Sequence, residues 1–258
     1  MDEGVGLERF GAVAFVEIRR PQRHNALDAA TAEAFLACCR EVAADDGVRA
    51  VVVSGAGASF GVGGDLNELQ AGGAGNARRI IAPLHEAVAL LAALDAPVIA
   101  RLRGIVAGGS MSLALGCDLA VASETARFNF AYTKAGTTAD LGGSWYLPRI
   151  VGLRAALQIA LLNETLDAGR ALALGLINKV VPDNELDAET ARLACALAQG
   201  PTRALGGMKR LLRLSAGNGL HDQLALEFDS FVASTLTADF PEAIDAILGK
   251  RIPRFSGA

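Results

Sequence analysis

Residues 104–145, GIVAGGSMSLALGCDLAVASETARFNFAYTKAGTTADLGGSW, constrain this chain more than any other stretch. Glycines recur where a backbone must come close to something, and one acid, Asp140, stands among apolar neighbours. An apolar run at 97–102 leads into Gly104, and the small residues Gly108, Gly109 and Ser110 open a helical run over 111–116. The first N–H groups of a helix lack intrahelical partners and lie at the positive end of its dipole, so this opening suits an oxyanion. Some thirty residues later Asp140 precedes Gly142-Gly143-Ser144, a second helix start, and the nearest basic residue in sequence is Lys134. A carboxylate there reads as a helix cap or as a catalytic base.

Several functions are excluded by the rest of the chain. Its 258 residues suffice for one large domain or a domain with a smaller appendage, and 52% hydrophobic residues supply a substantial core. With a net charge of -4 and 24 scattered Lys and Arg, there is no basic field for nucleic acid. Cys38, Cys39, Cys117 and Cys195 include an adjacent pair but no C-x-x-C, so reduced core cysteines are expected, with neither disulfides nor a metal site. The acidic N-terminus MDEGVGLERF lacks the order of a signal peptide, and no apolar run reaches membrane-spanning length. The expectation is a cytoplasmic protein with no membrane partner.

Periodicity predicts strands at 12–18, 49–54, 97–102, 118–122 and 127–130, alternating with helices. One helix runs from an N-cap at Asp28 to about 44, a short helical piece covers 65–69, and an amphipathic helix covers 78–94, with a mobile glycine segment at 72–75 between them. Beyond 142 the chain reads as helical at 153–162, 167–174, 185–199, 201–214, 219–236 and 240–248, interrupted at 178–181. The fold class is therefore α/β with a helical last third.

Most short motifs fail on inspection. Gly55-Ala56-Gly57 follows a strand but lacks the third glycine and the acid of a dinucleotide site. Gly108-Gly109-Ser110-Met111-Ser112 lacks the last glycine of a nucleophile elbow. His24, His85 and His221 are far apart, with no carboxylate or cysteine at ligand spacing, and read as solvated or core histidines. FGVGGDL at 60–66 is more telling: its glycines let a backbone N–H reach a bound group, although a tight turn capped by Asp65 has the same look. N–H groups at Gly64 and Gly109 would make a two-donor oxyanion hole, each donor worth about 3–4 kcal/mol in a transition state.

Arg20-Pro21 with Asn25-Ala26-Leu27, FGVGGDL, the 104–109 stretch, Gly142-Gly143-Ser144 and Lys250-Arg251 together resemble the crotonase, or enoyl-CoA hydratase/isomerase, superfamily across nearly the whole chain. The resemblance implies a spiral of strand-strand-helix turns over 1–199 and a helical region over 200–258 that assembles trimers or dimers of trimers. It also implies an acyl-CoA thioester substrate, with no cofactor beyond the coenzyme A of the substrate, and an oxyanion hole at Gly64 and Gly109. Tyr132, Ser112, Trp145, Arg23, Asp65, Leu66 and Lys250 become candidates for substrate binding, with Arg23, Lys250 and Arg251 placed for the CoA phosphates. The glycines at 72–75 border the acyl pocket in this family.

Departures from the family pattern narrow the chemistry. Where its hydratases carry two glutamates, this chain has Ser112 and Tyr132. Adding water needs a base for the water and an acid for the α-carbon, so the simplest hydratase mechanism is lost. In the isomerase branch an aspartate at the position of Asp140 shuttles a proton, and 131–149 is similar to the ring-epoxide or ring-opened phenylacetyl-CoA isomerases, except for Ala139 where they carry proline. The expected activity is an enoyl-CoA isomerase that moves a double bond or rearranges a ring. Burial among Phe128, Phe130, Leu141 and Trp145 is expected to raise the Asp140 pKa. Alternatives are a hydratase, an aryl-CoA dehalogenase with Asp140 as nucleophile, and a catalytically silent acyl-CoA-binding homologue.

Overall fold

The computed structural model describes residues 4–258. β1 (Val5–Phe10) and β2 (Val13–Ile18) form an antiparallel hairpin that turns at Gly11, φ +60°. Asp28 then caps α1 (Ala29–Ala44), its carboxylate accepting the Thr31 N–H at 2.8 Å. β3 (Ala50–Gly55) lies parallel to β2, and a glycine loop leads into α2 (Leu66–Ala93). β4 (Val98–Leu102), β5 (Ile105–Ala107) and α3 (Gly108–Gly116) make the next turn, and β6 (Leu119–Ser123), β7 (Arg127–Asn129) and α4 (Gly143–Val151) the one after. α5 (Leu153–Leu162), β8 (Leu166–Asp167), α6 (Ala168–Ala173), β9 (Lys179–Val181) and α7 (Leu186–Ala198) follow, and α8 (Thr202–Ser215), α9 (Leu220–Thr235) and α10 (Asp239–Leu248) end the chain.

The winding produces two sheets. Six strands run in the order β1-β2-β3-β4-β6-β9, all parallel after the first hairpin, and β5-β7-β8 form a smaller sheet. Single bridges, Leu27 to Gly64 and Gly61 to Val106, carry that second layer of extended chain back to the earlier turns. Each turn thus gives one strand to the large sheet, an extended piece to the second layer, and a helix. Strand β3 shows why the parallel strands are legible as apolar runs. Val51 and Val53 face the core shared with α1, α2 and α3, whereas Ala50 and Val52 face Leu186 and Ala194 of α7.

Three local expectations change. β1 carries no strong apolar alternation and is a strand because β2 pairs with it along its whole length. The glycines at 72–75 lie within helical turns except Gly73, whose φ of +48° and ψ of -129° kink the chain, so that α2 is two helices joined there. β5 and β8 have three and two residues, too few for a periodic signal.

The helical end is fastened to the sheet by charge. Lys209 and Arg213 of α8 pair with Asp118 at 2.7 and 2.8 Å, and Arg49 donates to the carbonyls of Gly200 and Phe255 at 2.6 and 3.1 Å. Helix α9 buries none of its residues, leaving Leu220, Leu224, Phe228 and Phe231 exposed.

Asn25 joins the first two turns. Fully buried at φ +56°, it accepts the Arg20 N–H at 2.9 Å and donates to the carbonyls of Ala56 and Ser59 at 2.9 and 2.7 Å. Asparagine tolerates this left-handed backbone better than most residues. Asn25→Ala removes all three bonds and leaves buried groups unpaired, which costs about 3 kcal/mol in urea unfolding. A cost under about 1 kcal/mol would mean that other contacts hold the loop.

Candidate active site

Two backbone N–H groups are set free by the way the loops are bridged. Leu27 donates to the Gly63 carbonyl at 2.8 Å and accepts from the Asp65 N–H at 2.9 Å. In a parallel bridge these flanking bonds turn the N–H of the intervening residue, Gly64, to the far side. Gly109 is the second residue of α3, so its N–H has no carbonyl a turn earlier. Among the described residues no acceptor takes either N–H. The loops are in contact: a Cβ on Gly63, φ +88°, would stand 2.8 Å from the Gly109 nitrogen. Gly63 itself donates to Ser110 Oγ at 3.0 Å, which fixes one loop on the other.

Asp140 closes the same space. It does not cap α4, whose cap residue is Gly142 with no side-chain bond; only the Asp140 carbonyl takes part, accepting from the Gly143 N–H at 2.8 Å. Its carboxylate instead turns back and accepts the Tyr132 hydroxyl, with Oδ1 lying 3.4 Å from where a Cβ on Gly109 would be. Tyr132 OH is 2.7 Å from Ser112 Oγ. Because the tyrosine gives its proton to the carboxylate, the serine donates to the tyrosine, and the chain reads Ser112 to Tyr132 to Asp140. Gly143 is required here, since its Cβ would fall 2.2 Å from Ser112 Oγ, and Phe130 stacks edge-on against Tyr132 at 4.9 Å.

Burial pushes the Asp140 carboxyl above the ordinary carboxylate value, against the opposing pull of the Tyr132 hydroxyl and of a charged His85. That last pull vanishes in the geometry observed, because His85 Nε2 accepts the Leu141 N–H at 3.1 Å and so carries no proton. Desolvation, with the carboxylate beside it, also drives the Tyr132 hydroxyl upward, so the tyrosine stays a donor at all ordinary pH.

Other sequence candidates lie elsewhere or are otherwise engaged. Asp65 caps α2 by accepting the Asn67 and Glu68 N–H groups at 3.1 and 3.4 Å, and faces Arg20 at 3.4 Å. Leu66, 66% exposed, follows it beside Gly64. Phe128, Phe130 and Leu141 are buried as expected, but Trp145 is not: it is 41% exposed, with the Arg149 guanidinium 4.1 Å above its ring. Arg23 ends a single 3-10 turn, Pro21–Arg23, and is exposed. Lys250 is exposed after α10, and Arg251 is held by both oxygens of Glu242 at 2.6 and 2.7 Å. The reading of His85 as a solvated or core residue misses its contact with the Asp140 loop; fifty-five positions separate them, and no spacing rule connects them.

The pattern of the enoyl-CoA hydratase/isomerase family matches residues 8–258. A 1,2-epoxyphenylacetyl-CoA isomerase of Escherichia coli (strain K12) is 36% identical over 95% of each chain. A 4-chlorobenzoyl coenzyme A dehalogenase of an Arthrobacter species is 32% identical over 97% of this chain and 92% of its own. The solved structure of an enoyl-CoA hydratase from Polaromonas sp. JS666 superposes with a TM-score of 0.92 at 33% identity, covering 97% of this chain and 99% of that one.

A stability measurement separates the two roles considered for Asp140. With its folded pKa raised, the native state keeps a proton that the unfolded chain has released, so native stability declines as pH climbs from the unfolded value through the raised one. Asp140→Asn lacks that decline while still accepting from Tyr132, and is expected to match or exceed the wild-type melting temperature at pH 7. A cap role would instead cost about 1 kcal/mol, and thermal melts at acid and neutral pH distinguish the two.

Proposed function

The chain belongs to the enoyl-CoA hydratase/isomerase family, the crotonases, and from that premise we propose that it is an isomerase. It shifts a double bond along an acyl-CoA thioester, or rearranges a ring attached to one, with Asp140 as the single proton shuttle. The observation that carries this reading is the Ser112–Tyr132–Asp140 chain. The two positions where the family's hydratases keep glutamates hold hydroxyls bonded to one another, which leaves one carboxylate for the chemistry. Similarity over 95% of the chain to a 1,2-epoxyphenylacetyl-CoA isomerase supports the same choice and favours an acyl group bearing a ring.

The steps follow from the geometry. The thioester oxygen sits between the N–H groups of Gly64 and Gly109. Ionised Asp140 takes a proton from the carbon between the carbonyl and the double bond, and the electron pair spreads into a dienolate whose charge rests on that oxygen. The same carboxyl, now protonated, returns the proton two carbons further along. Burial serves both halves, since a raised pKa lets one group accept and donate near neutrality. Tyr132, by donating to Oδ1, leaves Oδ2 for the substrate. Arg23 and Lys250 remain the cations proposed for the CoA phosphates, Lys250 from a neighbouring subunit.

The test is mass spectrometry of a 3-enoyl-CoA and a 2-enoyl-CoA incubated with the protein in water enriched in heavy oxygen. Conversion of the 3-enoyl substrate to an isobaric product without oxygen uptake is expected, falling about a thousandfold in Asp140→Asn. Uptake of labelled water would restore the hydratase. Chloride release from a chlorinated aryl-CoA would make Asp140 a nucleophile, and no turnover of any of these would leave an acyl-CoA-binding homologue.

The exposed apolar face of α9 supports a homotrimer or a dimer of trimers. Light scattering should give three or six times the 26.6 kDa chain mass, and a monomer would overturn this.

A further inference from the structure

Helix α2 reaches both halves of the site. Its first residue follows the Gly64 loop, with Asp65 as its cap, and nineteen residues later, past the kink at Gly73, it presents His85 to the loop that carries Asp140. That loop is unusual backbone. Leu141 and Gly142 are consecutive left-handed residues, at φ +49° and +78°. Glycine adopts this region freely, whereas leucine does so at a cost and only where its surroundings hold it. The Leu141 side chain is 1% exposed, which anchors one side of the residue, and its N–H has no carbonyl partner. The group that receives that N–H is His85 Nε2, at 3.1 Å.

The consequence for Asp140 is geometric. The turn at 141–142 is what sends the Asp140 carboxylate back toward Tyr132 and Gly109 rather than forward onto the first N–H groups of α4. A relaxed Leu141 would free the carboxylate to swing toward that helix start, where an acid is ordinarily welcome. His85 is itself exposed, at the edge of a cavity of about 340 Å³ with Leu141, Gly142 and Trp145.

We propose that His85 is a positioning residue: as hydrogen-bond acceptor for the Leu141 N–H, it holds the left-handed turn that aims the Asp140 carboxylate at the substrate. The role belongs to the acceptor atom and not to acid–base chemistry of the imidazole. It rests on Asp140 being the shuttle, and it makes α2 the strut that keeps donor loop and base in register.

The test compares His85→Leu, which has no acceptor, with His85→Gln, whose amide oxygen reaches about as far along the side chain as Nε2. His85 is exposed, so both variants are expected to fold, checked by circular dichroism and melting temperature. With trans-3-hexenoyl-CoA, His85→Leu should lower kcat about tenfold to a hundredfold with KM within about twofold, and His85→Gln should recover most of that loss. Hydrogen exchange followed by mass spectrometry should quicken in a peptide spanning 138–143 for His85→Leu and stay near wild type for His85→Gln. Unchanged kcat and exchange in His85→Leu would overturn the proposal, as would a His85→Gln variant as slow as His85→Leu, since the imidazole would then be needed for itself. If the wild-type protein leaves the thioester unchanged, the isomerase reading fails, and the exchange pair still decides whether His85 holds the turn.

Discussion

A single pairing, the parallel bridge between Leu27 and Gly64, sets the direction of the backbone at the proposed oxyanion site. It uses the Gly63 carbonyl and the Asp65 N–H, and in doing so turns the intervening Gly64 N–H outward. Everything around it serves to keep that pairing. Asn25 ties the Leu27 side to the Ala56–Ser59 loop, and Arg20 faces the caps of two helices, Asp28 at 2.7 Å and Asp65 at 3.4 Å. The second donor then follows from position: the Gly63 backbone packs against the Gly109 nitrogen with no room for a side chain between them.

Against this fixed pair of dipoles stands a charge the protein has made costly. Asp140 is drawn out of water, and burial outweighs the hydroxyl that stabilises its ionised form. The balance suits the proton shuttle proposed for it. A carboxylate satisfied by several N–H groups holds its charge too firmly to be a good proton acceptor. Tyr132 gives one hydrogen bond, enough to orient the carboxylate without quenching it, and its own rise in pKa keeps the proton on the phenol.

Helix α2 connects the two. Its start is fixed by Asp65 next to the Gly64 loop, and its later turns carry His85 to the loop of Asp140. The kink at Gly73 lies between them and divides α2 into two helical parts.

Much of this was legible in the chain itself. The valine run of β3, the cap at Asp28, the glycines of FGVGGDL and the helix opening at Gly108 announce themselves because each reflects a local rule: apolar burial on both faces, a free N–H to satisfy, or a backbone that admits no Cβ. Asp140 stands out as an acid in apolar company, and local pattern suits a cap as well as a base. Only the tertiary structure shows that the carboxylate does not cap α4, because its direction depends on the left-handed turn at Leu141, on Tyr132 eight residues back and on His85 fifty-five residues away. Local pattern encodes what a residue does to its own backbone. Which distant side chain meets it is set by the packing of whole turns of the spiral, and that is where β1 found its partner, Trp145 was left at the surface, and His85 came to accept the N–H of Leu141 beside Asp140.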